Sequence, residues 1–317
     1  MSNLDTCGIE VSAKELVVML RRQEDLEPLR NFTNTPEGHL MILRYLRRGG
    51  RVVRVCMEST GLYGLDLALA LSGQEGIEVM VANPRAVRHF AHALMQRSKN
   101  DQIDAGVLEQ FAVHMPFKPW QRPSVATLAL HALARRLREL VEMQTAEKNR
   151  QHAAGLSKAI PAVVRRDLAR SLRAQERAIE RLTRQARKLI AQDPQLAERF
   201  ELLDSVPGIG ETSAVQLLGE LGVLAPDLEA RQWVAYAGLD PRQYTSGTSV
   251  HKKPRISKAG NKYLRHALFM PALVAVMRKL LHALHAMFKT HQPYDGSKLF
   301  RLKSAPAQEV TYVLVAC

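Results

Sequence analysis

The sequence predicts an α/β domain followed by a mostly helical remainder, and three observations carry that prediction. Up to about residue 114, short β-branched runs alternate with amphipathic stretches. From Leu130 to Leu189, apolar residues recur at heptad spacing. Between the two, Met115 to Pro123 holds three prolines and Trp120, which reads as a linker closing the first domain.

In chain order, Thr6 to Val11 and Leu16 to Leu20 read as a hairpin around Ser12-Ala13-Lys14, and Glu37 to Arg48 as a helix. Arg51 to Met57 is a β-branched run, Gly64 to Leu71 a helix and Ile77 to Ala82 another strand, after which Asn83-Pro84 opens a further helix. A hairpin followed by strands separated by helices suits a mixed sheet with helices packed on it, as in ribonuclease-H-like folds.

Two long helices come next. Leu130, Leu133, Leu137 and Leu140 in the first, and Leu168, Leu172, Gln175, Ile179, Leu182, Ala186 and Leu189 in the second, repeat alternately at three and four residues. An antiparallel hairpin within the chain and pairing with another chain both satisfy this pattern, and Gln175 in the seam fixes register at a cost in stability. Asp193-Pro194 ends the pair. Leu203 to Ala214, with Pro207-Gly208-Ile209-Gly210 at its centre, has the layout of a helix-hairpin-helix turn, in which Gly208 and Gly210 let backbone N–H groups approach a phosphate. Plain turn chemistry between helices is the other reading. The expected organisation is 1–120, 121–195 and 196–317.

The chain of 317 residues carries 45 Lys plus Arg against 31 Asp plus Glu, a formal charge of +14, which points to nucleic acid or an anionic membrane surface. No apolar run reaches the roughly 20 residues of a spanning helix and the N-terminus lacks a signal-peptide layout, so a cytoplasmic protein is expected. Cys7, Cys56 and Cys317 are too few and scattered for a disulfide framework or thiolate metal site; Cys7 and Cys56 are expected as core residues in strands.

Four carboxylates stand where phosphodiester chemistry would need them. Glu10 is at the end of the first strand, Glu58 follows the strand run that ends at Met57, and Asp101 and Asp104 share one face at the start of a helix. Converging oxygen ligands suit Mg²⁺ or Mn²⁺, and two such ions can activate a nucleophile and stabilise a leaving oxygen. The bland reading makes Asp101 an N-cap, Asp104 a first-turn residue and Glu58 an exposed strand end. The charge balance and the nearby basic Arg85, Arg88, Arg97 and Lys99 favour the metal site.

A second constellation lies between Gly238 and Arg265. Ser246 is a hydroxyl nucleophile candidate beside Arg242, Lys252, Lys253, Arg255, Lys258, Lys262 and Arg265, with no carboxylate from Pro241 to Arg265. A serine there would meet a polyanion in a positive field. Thr245, Thr248 and Ser249 are close enough to remain alternatives.

Gly8-Ile9-Glu10-Val11-Ser12, Glu58-Ser59-Thr60-Gly61, Lys99-Asn100-Asp101-Gln102-Ile103-Asp104, Pro207-Gly208-Ile209-Gly210, Gly238-Leu239-Asp240-Pro241, Ser246-Gly247 and Ser257-Lys258-Ala259-Gly260-Asn261 together make the chain resemble the DEDD transposases of the insertion-sequence 110 family, relatives of Piv-type invertases. The resemblance implies a RuvC-like N-terminal domain, a coiled-coil bridge and a transposase domain carrying a serine that joins covalently to double-stranded DNA. It also implies an Mg²⁺-bound carboxylate site composite with that serine across protomers, hence a homo-oligomer. Some elements of the family use a guide (bridge) RNA, a partner that a protein sequence does not reveal. Two departures stand out: Glu10 where the family commonly has Asp, and an apparent shortening near residues 273–277, together with an atypical tail over 305–317. The readings kept beside a transposase are a structure-selective metal-dependent endonuclease and an inactive nucleic-acid-binding remnant.

Overall fold

The computed structural model describes residues 4–58, 61, 63–96, 98, 100–246, 250–269 and 274–296, with positions 243–246, 250–252 and 274–276 described by backbone alone. The chain divides into two units, Met1–Arg122 and Pro123–Cys317.

In the first unit, β1 (Leu4–Val11) and β2 (Glu15–Arg22) form the antiparallel hairpin read from the sequence, with Ile9 opposite Val18 and Val11 opposite Leu16. The short strands β3 (Asp25–Leu26) and β4 (Arg30–Thr33) both pair antiparallel with β2. Beyond β1, the parallel strands β5 (Val52–Glu58) and β6 (Ile77–Ala82) complete a mixed sheet in the order β3-β2-β1-β5-β6. Helix α1 (Pro36–Arg47) joins β4 to β5, α2 (Leu65–Leu71) joins β5 to β6, and α3 (Pro84–Ala93) and α4 (Asp101–His114) follow β6.

Strand alternation sorts side chains to the two faces. Cys7, Ile9, Val11, Val55 and Met57 pack with Ile42, Tyr45 and Leu46 of α1 and Leu67 and Leu71 of α2. On the opposite face, Cys56, Met80 and Ala82 pack under Val87 of α3 and Val107, Leu108 and Phe111 of α4. Both cysteines are free and buried, as expected for core residues; burial holds the Cys7 thiol far above its ordinary range, and burial with the Glu58 charge pushes Cys56 up to about 12. Cys317 lies outside the described residues. The proline-rich closing segment is tied to this unit, since Trp120 N donates to Val79 O at 2.6 Å and its ring packs on the core.

In the second unit, Ser124 caps α5 (Val125–Leu156) by accepting from Thr127 N, and α6 (Ala162–Gln192) runs back along α5 after a short turn. The heptad seam is therefore met within the chain: Leu172, Ala186 and Ile190 are buried, and Ile179, Leu182 and Leu189 are packed against the core that holds Leu130, Ala134 and Leu137. Gln175 donates to Ser171 Oγ at 3.4 Å, while its Oε1 is buried with no hydrogen-bond partner among the described residues. Asp193 caps α7 (Pro194–Asp204), and α8 (Glu211–Gly222) and α9 (Ala230–Tyr236) follow.

Residues 241–246 and 250–256, expected within a mostly helical region, instead form an antiparallel ribbon of β7 (Pro241–Ser246) and β8 (Val250–Ile256). Helices α10 (Lys262–Phe269) and α11 (Val274–Thr290) close the fold. The expected shortening near residues 273–277 falls on residue 273, outside the described residues, and on the start of α11; the tail 305–317 also lies outside them.

Candidate functional site

The first unit gathers its carboxylates at one end of the sheet. The parallel register sets Gly8 beside Cys56 and Ile9 beside Met57, so Glu10 and Glu58 follow as neighbours at the carboxyl ends of adjacent strands and share the face that α4 covers. Gly8 makes the cover close: a Cβ there would stand 2.1 Å from the Ala105 carbonyl oxygen and 2.3 Å from Glu109 N. Gly8 meets Ala105 and Thr6 reaches Glu109, one turn further along α4, so the helix runs antiparallel to β1 and its first turn arrives over Glu10 and Glu58. Asn100, not Asp101, is the N-cap, accepting from Ile103 N at 2.8 Å.

Glu58 and Asp104 line one cleft of about 700 Å³ with Arg85, Arg88 and His92 of α3. Asp101 is exposed in the first turn of α4, and Glu10 is half-buried with its Oε2 shielded from solvent. Among the described residues, no three His, Cys, Asp or Glu side chains stand together as a metal-holding group. Two of the four predicted ligands thus share a cleft; Glu10, at the carboxyl end of β1, and Asp101, in the first turn of α4, do not line it. The donors are all carboxylate oxygens, the set that Mg²⁺ and Mn²⁺ take. Arg97 and Lys99 lie outside the described residues.

A third acidic residue of α4 escaped the sequence reading. Glu109 is buried and held by both ends of the Arg21 guanidinium, Nε at 2.8 Å and Nη2 at 3.2 Å, with Thr6 Oγ1 donating at 2.6 Å. The available signal was its place on the apolar stripe of α4, four residues after Ala105 and three before Ala112.

The second unit builds the serine segment on a clasp. Gly238-Leu239-Asp240 and Ser257 to Asn261 cross at the base of the ribbon: Ser257 N and Lys258 N donate to Asp240 O and Gly238 O at 2.9 Å, and Asn261 N donates to Tyr236 O at 2.7 Å. Gly238 takes φ of +65°, and a Cβ on Gly260 would stand 2.3 Å from Tyr236 O, so side chains are excluded from the crossing. Ser246 is the last residue of β7 and pairs with Val250, which puts it at the far end of the ribbon from the clasp.

Arg242, Lys253, Arg255, Lys258 and Lys262 are exposed around the ribbon. Arg265 is engaged structurally, its Nη1 donating to Ala237 O at 2.8 Å and Gly260 O at 3.0 Å, a role in the clasp that sequence spacing did not reveal. The Lys252 side chain lies outside the described ones.

Beneath the clasp sits a second buried carboxylate. Glu220 of α8 accepts from Arg135 Nε at 2.9 Å and from Asn261 Nδ2 at 2.5 Å, while His131 Nε2 stands 3.5 Å away. Burial alone would raise its carboxyl; the His131, Arg135 and Asn261 contacts outweigh that and hold it at about 2. Arg135 and Asn261 hold it by hydrogen bonds, whereas His131 Nε2 makes none among the described residues and acts by proximity. The turn before α8 has Gly208 exposed at φ +89° and Gly210 as an N-cap without a side-chain bond, while Glu211 in the first turn is ion-paired with Arg187.

The family model described as Transposase IS116/IS110/IS902 family matches residues 200–287, from α7 into α11, and the DEDD transposase model of the IS110 family matches residues 7–161, the first unit and α5. The pilin gene-inverting protein of Moraxella bovis is 28% identical over 296 residues, covering 83% of this chain and 89% of the relative. The transposase for insertion sequence element IS1328 of Yersinia enterocolitica is 29% identical over 249 residues, 71% of each chain. A probable family 20 transposase of Pseudomonas aeruginosa is 34% identical over 111 residues, 35% of this chain and 31% of the relative. These matches define a DNA-processing enzyme of the transposase and recombinase kind. The chain belongs to the IS110 family of transposases. Among the described residues, no helix is long and apolar enough to cross a membrane.

Proposed function

We propose that the protein cuts and rejoins double-stranded DNA through the carboxylates of its first unit and Ser246 of its second, as a cytoplasmic homo-oligomer that moves or inverts a DNA element. The observation that carries this is the shared cleft of Glu58 and Asp104, walled by Arg85 and Arg88: the arginines suit a phosphate, and the carboxylates suit the cation such chemistry uses. The sheet order, with β2 antiparallel to its neighbours, supports a RuvC-like reading of the first unit, and the turn between α7 and α8 supports a helix-hairpin-helix contact at Gly208 and Gly210. Mg²⁺ or Mn²⁺ would be held by Glu58 and Asp104 with Glu10 and Asp101 beside them, supplying charge stabilisation at the phosphate oxygens.

Ser246 Oγ forms a bond to phosphorus as the strand P–O bond breaks, and the displaced strand oxygen leaves as a hydroxyl carrying the proton that Ser246 gives up. Reversal with another strand end rejoins DNA without an external energy source. Arg242, Lys253, Arg255, Lys258 and Lys262 hold the phosphates flanking the serine, Lys252 included by position. A guide RNA transcribed beside the element is part of this reading.

Incubation of the protein with labelled element ends, Mg²⁺ and flanking transcripts is expected to give a denaturation-resistant protein–DNA band in wild type and none in Ser246→Ala or Asp104→Asn. Cleavage that persists in Ser246→Ala would replace this with the endonuclease reading, which the placement of the cleft wholly within the first unit favours. Retained DNA binding with no product in any form would mark a remnant.

A further inference from the structure

The long helix α6 carries a basic stripe that neither the serine segment nor the carboxylate cleft uses. Arg166, Arg170, Arg173 and Arg177 are followed by Arg181, Arg184 and Lys188, each three or four residues after the last, and all are exposed. At about 100° per residue they fall within a fan of about 80° on the helix surface. The fan lies opposite the buried Leu172, Ala186 and Ile190, so seating α6 on its neighbours leaves it turned to solvent. The acidic residues of α6, Asp167, Glu176 and Glu180, all fall outside it.

A solvated face ordinarily mixes signs, and α5 does so: Arg136 pairs with Glu139, Arg138 with Glu142 and Arg150 with Glu147. None of the stripe cations is in an ion pair among the described residues; Arg166 donates only to Ala162 O within its own helix. From Arg166 to Lys188 the helix advances 22 residues, about 33 Å. That is close to the roughly 34 Å of one turn of duplex DNA, whose phosphates present a matching row of negative charge.

We propose that the exposed stripe of α6 is a rail for duplex DNA, gripping the phosphate backbone without reading sequence. The partner is a stretch of double helix flanking the reacting ends. Guanidinium groups predominate, the side chain best matched to phosphate. The rail holds whether or not Ser246 is the nucleophile, so its test is one of binding.

The test uses the full chain and a labelled duplex of arbitrary sequence, about 40 base pairs long so that the rail is spanned. Replacing Arg170→Gln, Arg173→Gln and Arg177→Gln together is expected to weaken binding about 10- to 100-fold near physiological salt. The slope of log affinity against log salt is expected to flatten by about 2 to 3, since each lost phosphate contact removes about 0.9. Exposed Arg→Gln changes on a helix leave propensity nearly unchanged, and a thermal melt superimposing on wild type verifies the fold. The same charge removed from α5, by Arg136→Gln, Lys148→Gln and Arg150→Gln, is expected to change affinity less than about twofold. Unchanged affinity and slope in the α6 variant overturn the rail, and equal losses in the two variants overturn it in favour of net charge alone. A loss confined to an RNA probe of equal length, with duplex DNA binding intact, assigns the stripe to RNA and overturns it as well.

Discussion

At the scale of single residues, the position of Asp104 depends on the smallest side chain in β1. Gly8 lets the backbone of α4 rest on the strand, so Gly8→Ala is expected to push α4 off the sheet and to cost on the order of 2 to 3 kcal/mol, seen as a thermal midpoint lowered by several degrees. A melt that superimposes on wild type would show that α4 shifts freely and that Gly8 does not set the cleft. Glu220 makes the complementary case for a buried charge. Its carboxyl sits at about 2 when folded, below the ordinary value near 4.5. Its stabilisation is therefore present above about pH 4.5 and disappears as pH falls through about 2. At neutral pH it is worth on the order of 3 kcal/mol. Unfolding free energies of wild type and Glu220→Gln are expected to differ at pH 7 and to converge toward pH 2; a constant gap would place the effect elsewhere. Neither Glu109 nor Glu220 was legible as a buried ion-pair member, because their arginines are 88 and 85 residues away. By contrast, the places of Glu10 and Glu58 at strand ends and of Asp101 and Asp104 in the first turn of a helix were legible, because strand ends and helix starts show in local pattern.

At the scale of elements, the hairpin, the parallel strands and the long helices followed their periodicity, and the β7–β8 ribbon did not announce itself. Its strands, Pro241 to Ser246 and Val250 to Ile256, lack apolar alternation because neither face of a two-stranded ribbon need cover a core. Pro254 lies within β8, and in a two-stranded ribbon both strands are edges, where proline is tolerated. The helical pair offers a cleaner test. Gln175 occupies an apolar seam with its carbonyl oxygen buried and unmatched among the described residues. Gln175→Leu is expected to stabilise the chain by about 1 kcal/mol and raise the midpoint by a few degrees. A lowered midpoint would mean that the amide has a partner in the assembled protein and serves register or pairing.

At the scale of the whole molecule, the first unit has a core on each face of its sheet and its closing segment hydrogen-bonded back to β6. A fragment of residues 1–122 is therefore expected to melt cooperatively by circular dichroism and to keep the Glu58 and Asp104 cleft; a featureless melt would show that it depends on residues after Arg122. The division between the two units falls in the proline-rich segment, at Arg122 and Pro123. The long helices, read as a separate bridge, contribute Leu130, Ala134, Leu137, Ala186 and Ile190 to the second unit's core, a long-range association that periodicity alone does not specify. The clasp of Gly238 with Lys258 has a further effect on how this unit tolerates change in length. It fixes both ends of the segment between them, so the entropy of closing that loop is set at the clasp and not at the tip. Doubling such a loop costs only about 0.6 kcal/mol, so a few residues inserted between Ser246 and Val250 would extend the reach of the ribbon while leaving the helices beneath it folded.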